Sequence, residues 1–427
     1  SAKAEVSGKG IDGGTGVDAI TSTGSVTSTS TATLLSASVP GLVSGVSDAN
    51  VSSTASADST AMDGGEENDS IDNSGVADAT ATATAAGLTV AFAPVTDAES
   101  GDNSKVNGDV NASAGATGIS GGAGNDTVMN SDSLTTTATA TTLAADGGGV
   151  AAMGSAALSA TSTAETDAAA IDLGSGNDTL ANHAAISAAA NSTATALNVS
   201  VGGSSAPATE NSGSKSTADG GATADASATG IAADSLETDS GNNLTLSVDP
   251  TSMSVSYERM KTRASGDDDV TNDAAVTASA TSVTHAPSVG FSVVGPATAS
   301  AVSKADAGAV AIDLGGGNDT LMNDVTGTLT ATANSTASAL SVNVGVAIPT
   351  EPDKLAKFIP PVSGLDADAS AKSSATGIAA DSLEGDARQN FSLTIEDSGG
   401  SSAGSLAYSK SNVRASGDDN VANHGIV

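Results

Sequence analysis

The sequence predicts an all-β chain wound into a parallel β-solenoid (β-helix or β-roll-like), rod-shaped and built from internal repeats. Three observations carry that expectation. Side chains are small: of 427 residues 1% are aromatic, Trp and Cys are absent, and the 38% hydrophobic fraction is largely Ala. A thick core of interdigitated aromatic and Leu side chains is therefore excluded. A short element containing Gly and Asp returns along the whole chain. The segments between its copies alternate Ala or Val with Thr or Ser, the period-2 pattern of a half-buried strand.

The repeats operate on two scales. Ala-Ile-Asp-Leu-Gly-x-Gly-Asn-Asp-Thr-Leu occurs at 170–180 and 311–321, and Ala-Thr-Gly-Ile-Ala-Ala-Asp-Ser-Leu-Glu at 228–237 and 375–384. Arg-Ala-Ser-Gly-Asp-Asp occurs at 263–268 and 414–419. One long unit is thus duplicated, which divides the single repetitive solenoid 1–427 into approximate units 1–117, 118–259 and 260–410, with a partial repeat 411–427. Inside it lies Gly-x-Asp-x-Φ-x-Asn, Φ being aliphatic, complete from Gly124, Gly176, Gly266, Gly317 and Gly417. A sixth copy at Asp69–Asn73 has Glu67 for its Gly, and a seventh at Gly16–Ile20 has lost its Asn. The central Asp falls at 18, 69, 126, 178, 268, 319 and 419.

Strands follow each copy, as in Ala79-Thr80-Ala81-Thr82-Ala83-Thr84 and Thr328-Leu329-Thr330-Ala331-Thr332-Ala333. Ala-rich segments are also good helix formers, but interleaved Thr and Val with frequent Gly and Ser oppose helical propagation. A repeat unable to bury its own apolar face stacks on its neighbours. With about three strands of 4 to 6 residues, a coil takes roughly 25 to 30 residues, so a motif step near 51 residues predicts two coils, with the motif on alternate ones. The Φ residues Val128, Leu180, Val270, Leu321 and Val421 are expected to point inward. Segments 240–265, 348–363 and 391–415 are expected to be inserted or to protrude. The second carries four prolines, which break strand pairing. Ser256–Arg263 and its partner ending at Arg414 hold much of the scarce positive charge and are candidates to meet an acidic surface on another subunit.

Charge narrows the function. With 49 acidic and 14 basic residues the net charge is −35, a field that repels nucleic acid and anionic membranes and draws cations. No apolar run reaches 18 residues, so no membrane insertion is expected. With no cysteine to staple a secreted chain, bound ions are the alternative staple. The opening Ser1 has neither a basic nor an apolar leader after it, which reads as material from which any signal peptide has been removed.

Gly121-Gly122-Ala123-Gly124-Asn125-Asp126-Thr127-Val128-Met129 fits Gly-Gly-x-Gly-x-Asp-x-Φ-x at every fixed position, and 13–21 does so too. Here the chain resembles the hemolysin-type (RTX-like) calcium-binding repeats of bacterial extracellular β-solenoid adhesins. The resemblance implies that Gly-rich turns offer carbonyls, and the Asp a carboxylate, to Ca²⁺ between turns of a β-roll. Carried over to this chain, the metal set is Asp18, Asp69, Asn125, Asp126, Asn177, Asp178, Asp267, Asp268, Asn318, Asp319, Asp418 and Asp419. In the family the nonapeptides run in tandem, whereas here single copies are separated by steps of 51 residues or more. The competing reading is that Gly with Asn or Asp simply makes a tight turn.

The motif Asn is a separate signal. Asn73, Asn130, Asn182, Asn272, Asn323 and Asn423 would stack into a side-chain ladder if the coils are in register, or else face solvent as turn residues. His183, His285 and His424 are the only histidines; two directly follow a motif Asn and read as solvated turn residues. No catalytic triad is visible and no enzyme activity is expected.

These features lead to a calcium-stabilised structural subunit at the cell surface or outside the cell, stacking head-to-tail with itself into a filament or matrix fibre. Ser1–Val6 has the alternation needed to carry on from Ile426-Val427, which is the sequence basis for the stacking. One alternative is a stalk or ligand-binding region of a large adhesin, with extracellular glycan or ice as partner, since Thr135–Thr142 offers a regular Thr array. The other is a β-helix polysaccharide-degrading enzyme.

Overall fold

A computed structural model describes residues 1–38, 47–94, 102–151, 154–203, 216–234, 242–249, 252–259, 266–293, 297–346, 364–380, 389–397, 402–410 and 419–427. Strands fill three parallel sheets. Sheet A stacks β1 (Ala2–Asp12), β4 (Ser47–Glu66), β7 (Asp102–Ala123), β10 (Gly154–Asp172), β13 (Ser216–Ala232), β18 (Ala297–Asp313) and β21 (Gly364–Ala379) in that order. Sheet B stacks the short strands β2 (Ala19–Ser22), β5 (Ser70–Asn73), β8 (Thr127–Asn130), β11 (Thr179–Asn182), β16 (Asp269–Asn272), β19 (Thr320–Asn323) and β24 (Asn420–Asn423). Sheet C stacks β3 (Val26–Ser38), β6 (Ala77–Pro94), β9 (Leu134–Ala151), β12 (Ile186–Gly203), β17 (Val276–Val293) and β20 (Leu329–Val346). Each coil runs A, B, C, so the chain is a parallel β-solenoid of seven coils, the seventh without a described sheet C strand.

Coil size departs from the sequence expectation. One motif step is one coil, not two, and the motif sits on every coil: Ala2 pairs with Ser53 and Ile20 with Ile71, each 51 residues on. The long strands reach 22 residues. The reason lies in Ala. Inward positions of sheets A and C are dominated by it, for example Ala112, Ala114 and Ala116 against Ala138 and Ala140. With methyl groups on both inner faces, two long sheets close on each other without a third wall. Larger side chains gather only where sheet B provides that wall. There Ile119, Ile171 and Ile312 from sheet A, Ile71, Leu180 and Leu321 from sheet B, and Leu134 and Ile186 from sheet C are all buried.

The Φ residues Val128, Leu180, Val270 and Leu321 are at most 1% exposed, whereas Val421 is 40% exposed because β24 is the edge strand of sheet B. Two of the segments expected to protrude form hairpins, β14 (Asn242–Asp249) with β15 (Ser252–Arg259), and β22 (Gln389–Asp397) with β23 (Ser402–Lys410). They join through antiparallel β14–β23 pairing into one four-stranded sheet, linking coils five and seven. Segment 348–363, Arg263 and Arg414 lie outside the described residues. Ser1–Val6 does not extend a sheet C strand; Ala2–Asp12 is the first strand of sheet A, paired with β4.

Candidate functional site: the turn ladders and the outer face of sheet C

Between sheets A and B every coil makes the Gly-Asp turn, and stacking sets like residues above one another. The amide of Asp18 donates to Asp69 Oδ1 at 2.8 Å, and that of Asp69 to Asp126 Oδ1 at 2.7 Å. Asp126 donates to Asp178, Asp178 to Asp268 and Asp268 to Asp319 in the same way, at 2.7 to 2.9 Å, and Asp319 to Asp419 at 3.1 Å. One carboxylate oxygen per coil is thus committed to the coil before it. The other oxygen, Oδ2, of Asp18, Asp69, Asp126, Asp178, Asp268 and Asp419 is buried and meets no donor. It faces the turn glycine of its own coil: a Cβ built on Gly121 would lie 2.9 Å from Asp126 Oδ2, and one on Gly64 2.8 Å from Asp69 Oδ2.

The preceding residue makes a second, outer ladder of opposite sense. Asn125 donates its amide to Asn68 Oδ1, Asn177 to Asn125 Oδ1, Asp267 to Asn177 Oδ1, and Asn318 to Asp267 Oδ1, all at 2.8 to 3.2 Å and exposed. Backbone carbonyls are engaged too, since Asp126 O accepts from Thr179 and Gly122 O from Ser175. Asp418 lies outside the described residues.

The turn explains its glycines. Gly124, Gly176 and Gly317 hold φ between 139° and 148°, where L side chains rarely go. Glu67, standing in that position in coil two, is the one non-Gly residue with positive φ among the described residues, at 75°. A buried third column completes the corner. Asn73 Nδ2 donates to Asn130 Oδ1, Asn130 to Asn182, Asn182 to Asn272, Asn272 to Asn323 and Asn323 to Asn423, all at 2.6 to 2.8 Å. The stacked-ladder reading of the motif Asn therefore holds over the solvent-facing one.

Electrostatics follow from burial. It pushes Asp126 up to about 6, Asp178 to about 7 and Asp268 to about 8, and neighbouring carboxylates add to the effect, Asp234 and Asp178 beside Asp268. Sequence reading missed Asp234. Its Oδ1 accepts the Gly266 amide at 3.2 Å and its Oδ2 the Gly316 amide at 3.1 Å, and burial raises it to about 6. The signal was there in the duplicated Ile-Ala-Ala-Asp string, where Asp234 occupies the place that Gly174 and Gly315 hold in Ile-Asp-Leu-Gly.

The row of Asp Oδ2 atoms is hard, has no opposing donor and becomes anionic once its raised carboxyls ionise, which suits a hard cation that replaces their protons. Among the described residues no three His, Cys, Asp or Glu side chains converge on one point. An ion here would draw on carboxylates of successive coils and on water.

Sheet C presents a different surface. Its outward positions stack in register, as in Thr29, Thr80 and Thr137, or Thr31, Thr82 and Thr139. Over four such columns and six coils, seventeen of twenty-four positions are Thr and the one charge is Asp78. Further along the strands the columns turn aliphatic, with Val199, Val289 and Val342 beside Val201, Phe291 and Val344. The outer face of sheet A is ionic by contrast. Lys9 bridges Asp63 at 2.6 Å and Lys304 bridges Asp306 at 2.8 Å. A depression of about 440 Å³ around Gly115 is lined by Asp58, Glu165, Asp167 and Asp225 with no basic side chain. His183 is exposed, its Nδ1 2.9 Å from Asp273 Oδ2.

No protein-family model, curated protein or solved structure matches the chain.

Proposed function

We propose that the chain is a structural β-solenoid rod of the cell surface or extracellular matrix, stiffened by Ca²⁺ along its turn row and able to stack end to end on copies of itself. The observation that carries this reading is the run of three side-chain ladders from coil to coil, two of them largely buried and one exposed, which joins the coils by hydrogen bonds along the whole turn corner. Ca²⁺ is supported by the row of buried oxygens without donors and by the −35 background. Stacking is supported by the all-parallel sheets. Among the described residues β1, β2 and β3 are the edge strands at one end of the sheets and β21 and β24 at the other. These parallel edges are complementary, so a contact between them is heterologous and extends rather than closes.

Thermal melting with and without EGTA, alongside elemental analysis and negative-stain microscopy, tests the reading. Chelation is expected to lower the melting temperature and soften or shorten the rods. An unchanged curve with no bound metal would leave the turn row as turn chemistry alone. Filaments made of chains of about 40.3 kDa on a denaturing gel support self-stacking.

The outer face of sheet C favours a second reading, a module that binds a flat repeating surface of glycan or ice. Its Thr lattice repeats about every 4.8 Å between coils and about 6.6 Å along strands. Thr82→Lys with Thr139→Lys is expected to abolish retention on insoluble polysaccharide, or shaping of ice crystals, without altering the β-sheet circular dichroism. Equal retention and shaping by the double variant and the parent would remove this reading.

A further inference from the structure

Besides the motif columns and scattered buried Ser and Thr such as Ser30, Ser162 and Thr284, the coil interior holds one further polar seam far from the turn corner. On the inner face of sheet C, Thr89, Asp146, Asn198 and Ser288 occupy one register column on four successive coils. All four are at most 3% exposed. Asn198 Oδ1 and Ser288 Oγ have no hydrogen-bond partner, and the Asp146 carboxylate is approached only by the Thr89 hydroxyl and the Gly108 amide, neither well aligned. Asn198 Nδ2 donates to the Asp219 carbonyl of sheet A, which leaves its Oδ1 for the seam. The opposite wall is cut back to admit these groups. A Cβ on Gly108 would stand 2.5 Å from Asp146 Oδ1, and one on Gly220 2.6 Å from Ser288 Oγ.

Buried oxygens without well-aligned partners are costly, each comparable to a lost hydrogen bond and the carboxylate more so. A single cation between two adjacent coils relieves oxygens on both. We propose that this seam is an internal monovalent-cation site beside Asp146, which supplies the charge, with Thr89 Oγ1 on the preceding coil supplying neutral oxygen.

Size and charge choose the ion. Successive strands lie about 4.8 Å apart, so an ion midway between coils sits about 2.4 Å from oxygens on each, the contact length of a Ca²⁺-sized cation. The column holds one carboxylate. A divalent ion would leave a net positive charge buried, whereas a monovalent ion of that size, Na⁺, leaves none. Burial raises Asp146 only to about 6, so at pH 8 it is ionised, and no basic side chain is among the influences on it.

The site is distinct from the turn row and is tested with calcium removed. The full chain is melted at pH 8 in EGTA, in sodium chloride and in N-methylglucamine chloride of equal ionic strength. Na⁺ is expected to raise the melting temperature of the parent by several degrees, and Asp146→Asn, which keeps an oxygen but not the charge, to lose that increment. The same increment in Asp146→Asn, or none in the parent, overturns the proposal. If Asp146→Asn does not fold, Thr89→Val replaces it. A several-fold rise in the Na⁺ concentration at the midpoint of the stabilisation supports the site, and an unmoved midpoint overturns it.

Discussion

Asn182 illustrates how one residue ties three coils together. It accepts from Asn130 and donates to Asn272, at 2.8 and 2.7 Å, with no exposure to water. Asn182→Ala would leave a buried amide donor on Asn130 and a buried acceptor on Asn272, at about 1 to 3 kcal/mol for each group stranded. The expected loss is about 2 to 4 kcal/mol, read from chemical denaturation. Hydrogen exchange should rise first in β8, β11 and β16, because each repeat contacts only its neighbours. Glycine matters at this scale where stacking crowds it: a Cβ on Gly176 would lie 1.6 Å from the Gly124 carbonyl oxygen, and φ is 139°. Gly176→Ala is therefore expected to destabilise by more than a surface substitution does, upwards of about 2 kcal/mol, by the same measurement.

At the scale of the element, the short sheet B strands act as a hinge pin between two wide sheets. Leu321 is fully buried in the widened corner beside Ile312 and Leu314. Leu321→Ala is expected to cost about 2 to 4 kcal/mol, from lost transfer energy and the cavity left behind. The corresponding change Val421→Ala, on an edge strand with 40% exposure, should cost under about 1 kcal/mol. Equal effects at the two positions would contradict the inward register of the central coils. The inward set was legible because period-2 alternation assigns faces without any tertiary information. Coil length was not, since alternation says nothing about where a strand ends, and an uninterrupted Ala/Thr run reads equally as two short strands or one long one.

For the whole molecule, the aligned carboxylates make stability depend on pH in an unusual direction. An ordinary carboxylate in water titrates near 4, and burial raises Asp126, Asp178 and Asp268 to about 6, 7 and 8 in the folded rod. Folding thus favours their neutral form. That contribution is complete below about pH 4 and is lost as pH rises through about 6 to 8. In chelator the melting temperature should therefore fall between pH 5 and pH 8.5. Added Ca²⁺ should flatten the fall by replacing the proton with a cation. A melting temperature that rises with pH in chelator would refute the burial of these groups.

The sequence by itself determined the repeat, the β character, the inward Φ residues and the Asn column, because each depends on identical residues recurring at one offset, and stacking in register then makes like meet like. It also named the turn Asp residues. Only the tertiary structure decided that one Asp oxygen is bound to the preceding coil while the other faces inward, since that depends on which backbone amide the stacking offset brings opposite. Asp146 became visible the same way: it is the one acid in its column, so no repetition in the chain marks it. Asp234 does recur in the duplicated Ile-Ala-Ala-Asp string, but its partners, the Gly266 and Gly316 amides, come from other segments of the winding. The division of the surface into an ionic sheet A and a Thr and aliphatic sheet C nearly without charge likewise required the winding. Alternation along one strand separates inside from outside, but only the order of the sheets gathers six separate Thr-rich segments onto one face.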